Sequence, residues 1–285
     1  MAGNQATPGR TVASKVVQVL AAFSGDHDEL SLTQLQRLTG LPTSTAHRLA
    51  QDLLGEGILE RSPQGNYRIG LRLWEIASRS VRGSGLREIA MPYLQSLYEM
   101  TQQHVQLALL DGDQALVVEK ISRLRGAPTR SRAGGRLPLH ASGVGRAMLA
   151  HTPEAVQERI LRSPLAPYTA HTVTSPRELR FLLAQIRRDR TAYCHQEFTV
   201  GAFACAAPIP APEASTVAAI SVIVRTDQEA VQFAAAVRTT AVGIRRALQA
   251  RYSTAPQIGR PSSGTVPAQD HMTAGTIDDG RQHPS

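Results

Sequence analysis

Short hydroxyls followed by an imidazole and a guanidinium, Thr43, Ser44, Thr45, His47 and Arg48, make up the stretch of this chain with the most chemical content. On the first turns of a helix, hydroxyls and free backbone N–H groups meet phosphate oxygens, and an arginine one turn later reaches a base edge. That chemistry is recognition of duplex DNA through its major groove. Further on, Arg61, Asn66 and Arg68 surround Ser62-Pro63-Gln64-Gly65, a sequence that favours a type I turn, and would decorate a hairpin beside the same duplex.

The surrounding residues supply the elements that must hold these groups. Ser31 with Gln34 forms a capping box, and Leu32, Leu35 and Leu38 recur at helical spacing as one buried stripe. Gly40 ends that helix and Pro42 pre-sets the backbone for the next. The second helix, about 43 to 54, should bury Ala46, Leu49, Leu53 and Leu54, leaving the hydroxyls, His47, Arg48 and Gln51 outward. Ile58 and Leu59, then Tyr67 and Ile69, read as the two strands of a hairpin. The order is that of a winged helix-turn-helix. Upstream, Val12, Val16, Val19, Leu20 and Phe23 predict a buttressing helix that stops at Ser24-Gly25. A merely solvated polar face would show the same residue types without the cap, turn and hairpin in this order.

The 285 residues suffice for two domains, and a net charge of +8 suits an anionic partner. Residues 1 to 80, however, hold eight Lys or Arg against seven Asp or Glu, so DNA affinity must come from local placement and from more than one copy of the domain. Cys194 and Cys205 have neither the paired spacing of a zinc site nor that of a disulfide framework, and no cofactor or metal is expected. The N-terminal stretch lacks the apolar core of a signal peptide, and no run approaches the roughly 18 apolar residues of a membrane span; a cytoplasmic location is the expectation. No glycine-rich phosphate loop of either common type is present. A nucleophilic enzyme using Cys194 or Cys205 with His140 or His195 is disfavoured: Cys194 and His195 are neighbours, which on a strand face opposite ways, and Cys205 lies in an alanine-rich run.

After the hairpin, Leu71, Leu73, Trp74, Ile76 and Ala77 predict an amphipathic linker helix that reaches a break at Gly83-Ser84-Gly85 and either self-associates or packs against its own domain. A helix is expected from Leu86 to Thr101, with Pro92 bending it or following a short first turn. Strands about Val105–Leu109 and Ala115–Ile121 flank the turn Asp111-Gly112-Asp113. Helices at about 141 to 151, 153 to 161 and 176 to 189 precede strands at about 191 to 197, 203 to 209 and 216 to 225. A long helix over 228 to 251 closes the domain. The implied fold is α+β: a winged helix-turn-helix joined by a linker helix to an antiparallel-sheet α/β sandwich of GAF-like type. The division is a disordered 1–10, a DNA-binding domain 11–71, a linker 72–86, a ligand-binding domain 87–252 and a disordered tail 253–285. Residues 120 to 136 carry six basic side chains and no acidic one, a tract suited to guiding a carboxylate. Arg130 and Arg132 alternate there as on a strand. His140 reads first as a histidine that fixes its loop and second as a ligand donor.

With both halves in view the chain resembles the IclR family of bacterial transcriptional regulators over about 12 to 251, on the strength of TGLPTSTAHRL, GNYRIGLRLWEIA, GGRLPLHASGVGRAMLA and the run from Glu197 to Pro208. The resemblance implies a homodimer or dimer of dimers, double-stranded operator DNA as one partner, and a small organic acid held in the C-terminal domain. Relatives that take compact keto acids use a loop after PLHA, an Asp, a Cys and a Ser pair. By motif order these positions fall here on Gly143 and Val144, on Cys194, on Ala204, and on Ser221 and Ile223, with apolar wall positions at Thr129 and Ala202. The carboxylate, the thiol and one hydroxyl are thus replaced by a thiol, a methyl and a branched alkyl group. A compact acid loses polar partners by these changes, so a larger aromatic or hydrophobic acid is expected.

Overall fold

A computed structural model describes residues 11–23, 27–79, 81–210 and 217–254. The expected stop at Ser24-Gly25, the disordered 1–10 and most of the disordered tail lie outside those residues.

Helices α1 (Val12–Ala21), α2 (Leu32–Thr39) and α3 (Thr43–Gly55) form the first helical group. Strand β1 (Glu29–Leu30) joins β2 (Leu59–Arg61) and β3 (Tyr67–Ile69) in a small antiparallel sheet of order β1-β3-β2. The capping box is present in both directions, Gln34 N–H to Ser31 Oγ and Ser31 N–H to Gln34 Oε1. Gly40 closes α2 at φ +64°, a left-handed conformation that costs a side chain-bearing residue free energy. Val19, Leu30, Leu35, Leu49, Leu59 and Tyr67 form the core of this unit. Two expected core members are outside it: Leu38 is 44% exposed and Val12 60%, while Thr39 and Leu41 are buried in that part of the turn. Thr39 can be buried because its hydroxyl donates to the Leu35 carbonyl at 2.6 Å. Helical spacing alone did not distinguish Leu38 from its buried neighbours.

Helix α4 (Leu71–Ala77) follows directly and buries none of its side chains. Helix α5 (Val81–Thr101) then runs without interruption through residues 83 to 85 and contains Pro92. The expected break at Gly83-Ser84-Gly85 is therefore corrected: glycine lowers helix propensity by about 1 kcal/mol per residue, and burial of Leu86, Ala90, Leu94 and Leu97 along the same helix outweighs it.

Six strands form the second sheet, in the order β6-β5-β4-β9-β8-β7: β4 (His104–Asp111), β5 (Gln114–Ile121), β6 (Arg136–Pro138), β7 (Ala192–His195), β8 (Phe203–Pro210) and β9 (Val217–Val224). All five pairings are antiparallel. One face packs on α5 and on α9 (Asp227–Thr254) through Leu94, Leu97, Leu107, Ile220, Val222, Val237 and Ile244. The other packs on α6 (Gly143–Leu149), α7 (Glu154–Arg162) and α8 (Pro176–Asp189) through Val117, Leu139, Met148, Leu161, Leu179 and Leu183. Helices cover both faces, which explains why β8 and β9 are apolar almost throughout instead of alternating. Arg130 and Arg132 belong to no strand; they lie exposed in the loop from β5 to β6, a second correction. Among the described residues no helix is long and apolar enough to cross a membrane, and no cluster of His, Cys, Asp or Glu is suited to a metal.

Candidate functional sites: a nucleic-acid interface and a ligand cavity

Helix α3 buries Ala46, Leu49, Ala50 and Leu53 and turns Thr43, Ser44, His47, Arg48 and Gln51 outward, with Thr45 half-buried. No side chain caps its N-terminus, so the first-turn N–H groups remain available to an acceptor from outside. Arg48 reaches Asp52 at 3.4 Å and His47 lies 3.3 Å from Gln51, both contacts exposed. An exposed pair of this kind contributes little and yields readily to a phosphate or a base.

The wing is more constrained than its composition implied. Gly65 N–H donates to the Ser62 carbonyl at 2.9 Å and Ser62 N–H to the Asn66 carbonyl at 2.8 Å, which closes the hairpin. Arg61 stacks on Tyr67, 4.0 Å from ring centroid to guanidinium carbon, and donates to its hydroxyl and to the Gly65 carbonyl. Arg68 pairs with Glu60 at 3.1 Å. Asn66 is half-buried. Gln51, on the same outward face as His47, completes the candidate DNA surface.

The candidate ligand cavity lies between α6 and the sheet. Register places Cys194, Ala204 and Ile223 side by side across β7, β8 and β9, so three positions far apart in sequence become one row of its floor. Gly143 opens α6 directly above: a β-carbon there would stand 3.4 Å from those of Ala204 and Ala206. Thr129, from the loop after β5, and Ala202, from the loop between β7 and β8, stand on the walls. Six of the eight expected positions thus line one cavity, of about 40 Å³. Val144 and Ser221 are fully buried and outside that lining. Gln106, Ser131, Leu137, Ser142, Phe198, Thr199 and Phe203 complete the walls, and sequence reasoning named none of them. Gln106 carried a signal, a polar residue between the apolar Val105 and Leu107 of β4. Phe198 carried none, because only the fold of its loop aims it at the cavity.

That loop is anchored from below. Arg146 on α6 is 1% exposed; its guanidinium donates to the His140 carbonyl at 2.6 Å and pairs with the Glu197 carboxylate, 2.8 Å from Nη1 to Oε1. Thr169 and Thr172 hold the Glu197 carbonyl. His140 bonds the Ala166 carbonyl at 3.0 Å, and burial lowers its pKa, as suits a neutral histidine fixing a loop. Neither cysteine is an activated nucleophile. Burial pushes the Cys205 thiol up to about 12 and also raises that of Cys194, whose Sγ lies 3.3 Å from the Ala141 carbonyl.

A sequence model of the IclR helix-turn-helix domain matches residues 12–63, and one described as "Bacterial transcriptional regulator IclR C-terminal" matches 78–246. The HTH-type transcriptional regulator XynR of Escherichia coli is 31% identical over 240 residues, covering 82% of this chain and 95% of that protein. The transcriptional repressor IclR of the same organism is 31% identical over 73% of this chain and 76% of its own length. Among solved structures, an IclR homolog from Microbacterium hydrocarbonoxydans complexed with 4-hydroxybenzoate is 34% identical, with a TM-score of 0.79 over 84% of this chain and all of that one.

Proposed function

Because this chain belongs to the IclR family and is a transcriptional regulator with a helix-turn-helix DNA-binding domain, we propose that it reads operator DNA as a homodimer or dimer of dimers and answers to a small aromatic carboxylic acid. Thr43, Ser44, Thr45, His47 and Arg48 enter the major groove, with Arg61, Asn66 and Arg68 beside the phosphates. The division of labour follows residues 11–71, 72–86 and 87–252, with α4 and the start of α5 as the linker and α5 continuing into the ligand-binding domain. Effector, DNA and assembly all belong to a cytoplasmic protein in this reading.

The observation that carries the effector class is the lining of the cavity. By the motif order of the family resemblance, Cys194, Ala204 and Ile223 replace a carboxylate, a thiol and a hydroxyl that suit compact keto acids, and Phe198, Phe203 and Leu137 add apolar wall. An aromatic ring exploits such walls once they part beyond the roughly 40 Å³ they enclose here, whereas glyoxylate gains nothing from them. The relative crystallised with 4-hydroxybenzoate supports the same class. Occupancy acts on DNA by favouring one placement of the two reading heads, and the coupling runs equally from operator to ligand.

Calorimetry with glyoxylate, pyruvate, benzoate and 4-hydroxybenzoate tests this. Binding of an aromatic member is expected; tight glyoxylate binding with no aromatic response overturns it. For the DNA surface, Arg48→Ala is expected to weaken operator binding by about ten- to a hundredfold, with folding intact. Unchanged affinity would remove α3 from the groove.

A further inference from the structure

Next to the row of Cys194, Ala204 and Ile223 runs a second, and it is polar at one end. Register aligns Lys120 on β5, Gln106 on β4 and Ser221 on β9, followed by Ala206 and Ala192, all on the sheet face that α6 covers. Gln106 is 4% exposed and lines the cavity, and neither its Oε1 nor the Ser221 Oγ has a hydrogen-bond partner among the described residues. Buried polar atoms are nearly always paired, so an orphan amide oxygen on the cavity lining, with the unpaired Ser221 hydroxyl buried behind it, points to a group supplied from outside.

Lys120 stands at the end of this row, directly behind the lining rather than in it. Its ammonium donates to the Ser131 carbonyl at 2.6 Å and lies 3.4 Å from Thr129 Oγ1, and both of those residues form cavity wall. Both partners are neutral. Among the described residues no carboxylate reaches its Nζ within ion-pair distance, whereas Arg87, Arg136 and Arg159 nearby each have one. That leaves one of its three N–H donors without an acceptor among the described residues. Burial without a counter-charge holds its pKa down to about 8.

We propose that Lys120 is the counter-ion of the ligand's carboxylate, with the Gln106 amide beside it turned so that its NH2 donates to the acid. This rests on reading the cavity as an acid pocket, and it identifies which of the basic residues at 120 to 136 performs the binding. Arg130 is the alternative. It stands 5.4 Å over the Phe198 ring but is exposed, where solvent screens its charge and it serves only to steer the acid inward.

The test is calorimetry on the full-length chain with 4-hydroxybenzoate and its uncharged analogue 4-hydroxybenzamide. The parent is expected to prefer the acid by about tenfold or more, a ratio that Lys120→Met collapses to within about twofold and that Lys120→Arg and Arg130→Gln retain. A folded Lys120→Met protein that keeps the ratio overturns the assignment, and so does loss of the ratio in Arg130→Gln. Should Lys120→Met fail to fold, the parent's own Lys120 ε-carbon resonance decides: a shift with the acid and none with the amide is expected, and no shift with the acid overturns it. A parent that binds acid and amide equally leaves the aromatic pocket standing and removes Lys120 from it. A parent that binds neither overturns both.

Discussion

The buried pair of Arg146 with Glu197 is the residue-scale feature on which the cavity wall depends, since it ties α6 to the loop that carries Phe198, Thr199 and Ala202. Removing one partner of a buried pair strands the other charge, so Arg146→Ala is expected to cost about 3–5 kcal/mol of unfolding free energy in urea titration. A loss below about 1 kcal/mol would mean that the loop is held otherwise. Lys120 makes a different prediction. Its pKa is about 8 in the fold against 10.5 ordinarily, so between these values the unfolded chain binds more protons and stability rises with pH. Lys120→Met should abolish that rise across pH 8 to 10.5, and a persistent slope would assign it to another group. At this scale the sequence was legible wherever a side chain's neighbours are local. The hydroxyls, His47 and Arg48 of α3 face outward because helical geometry alone puts them there. Gln106, Phe198 and Phe203 were missed because their place in the cavity depends on strand register and on the path of one loop.

At the scale of elements, α6 shows how closely the C-terminal domain is built. A β-carbon on Gly145 would lie 2.6 Å from the Pro138 carbonyl oxygen and 2.7 Å from the Leu139 α-carbon, both backbone atoms that cannot swing aside. Gly145→Ala is expected to push α6 from the β6 corner and cost about 1–3 kcal/mol, measured by denaturant unfolding. A neutral result would show that the helix shifts freely. The capped α2, the Gly40 turn and the hairpin were readable because each is decided within a few residues by caps and turn chemistry. Strand β1 has two residues and β6 three, too few for alternation to register, and both exist through pairing with distant strands. Gly83-Ser84-Gly85 misled for the opposite reason, since a local propensity yielded to burial further along the same helix.

Over the whole molecule, α4 stands out because it exposes Leu71 at 77%, Trp74 at 65% and Ile76 at 55% between two well-packed units. In the proposed dimer these side chains meet a second copy, and Trp74→Asp is expected to shift the sedimentation equilibrium toward monomer; an unchanged equilibrium would place the dimer contact elsewhere. Acid should weaken the fold as a whole. His104, His140 and His151 each have a ring nitrogen bonded to a backbone carbonyl, and burial lowers the pKa of all three. The unfolded chain binds protons near pH 6.5 while the fold resists them, so stability falls as pH drops below about 6.5. Ligand binding near one end of the chain is proposed to govern DNA reading near the other, and one titration reads that coupling. Operator duplex selected from random sequence is titrated with the full-length protein, with and without saturating 4-hydroxybenzoate. Operator affinity is expected to change by about fivefold or more, in either direction. Identical curves at saturating acid would contradict it.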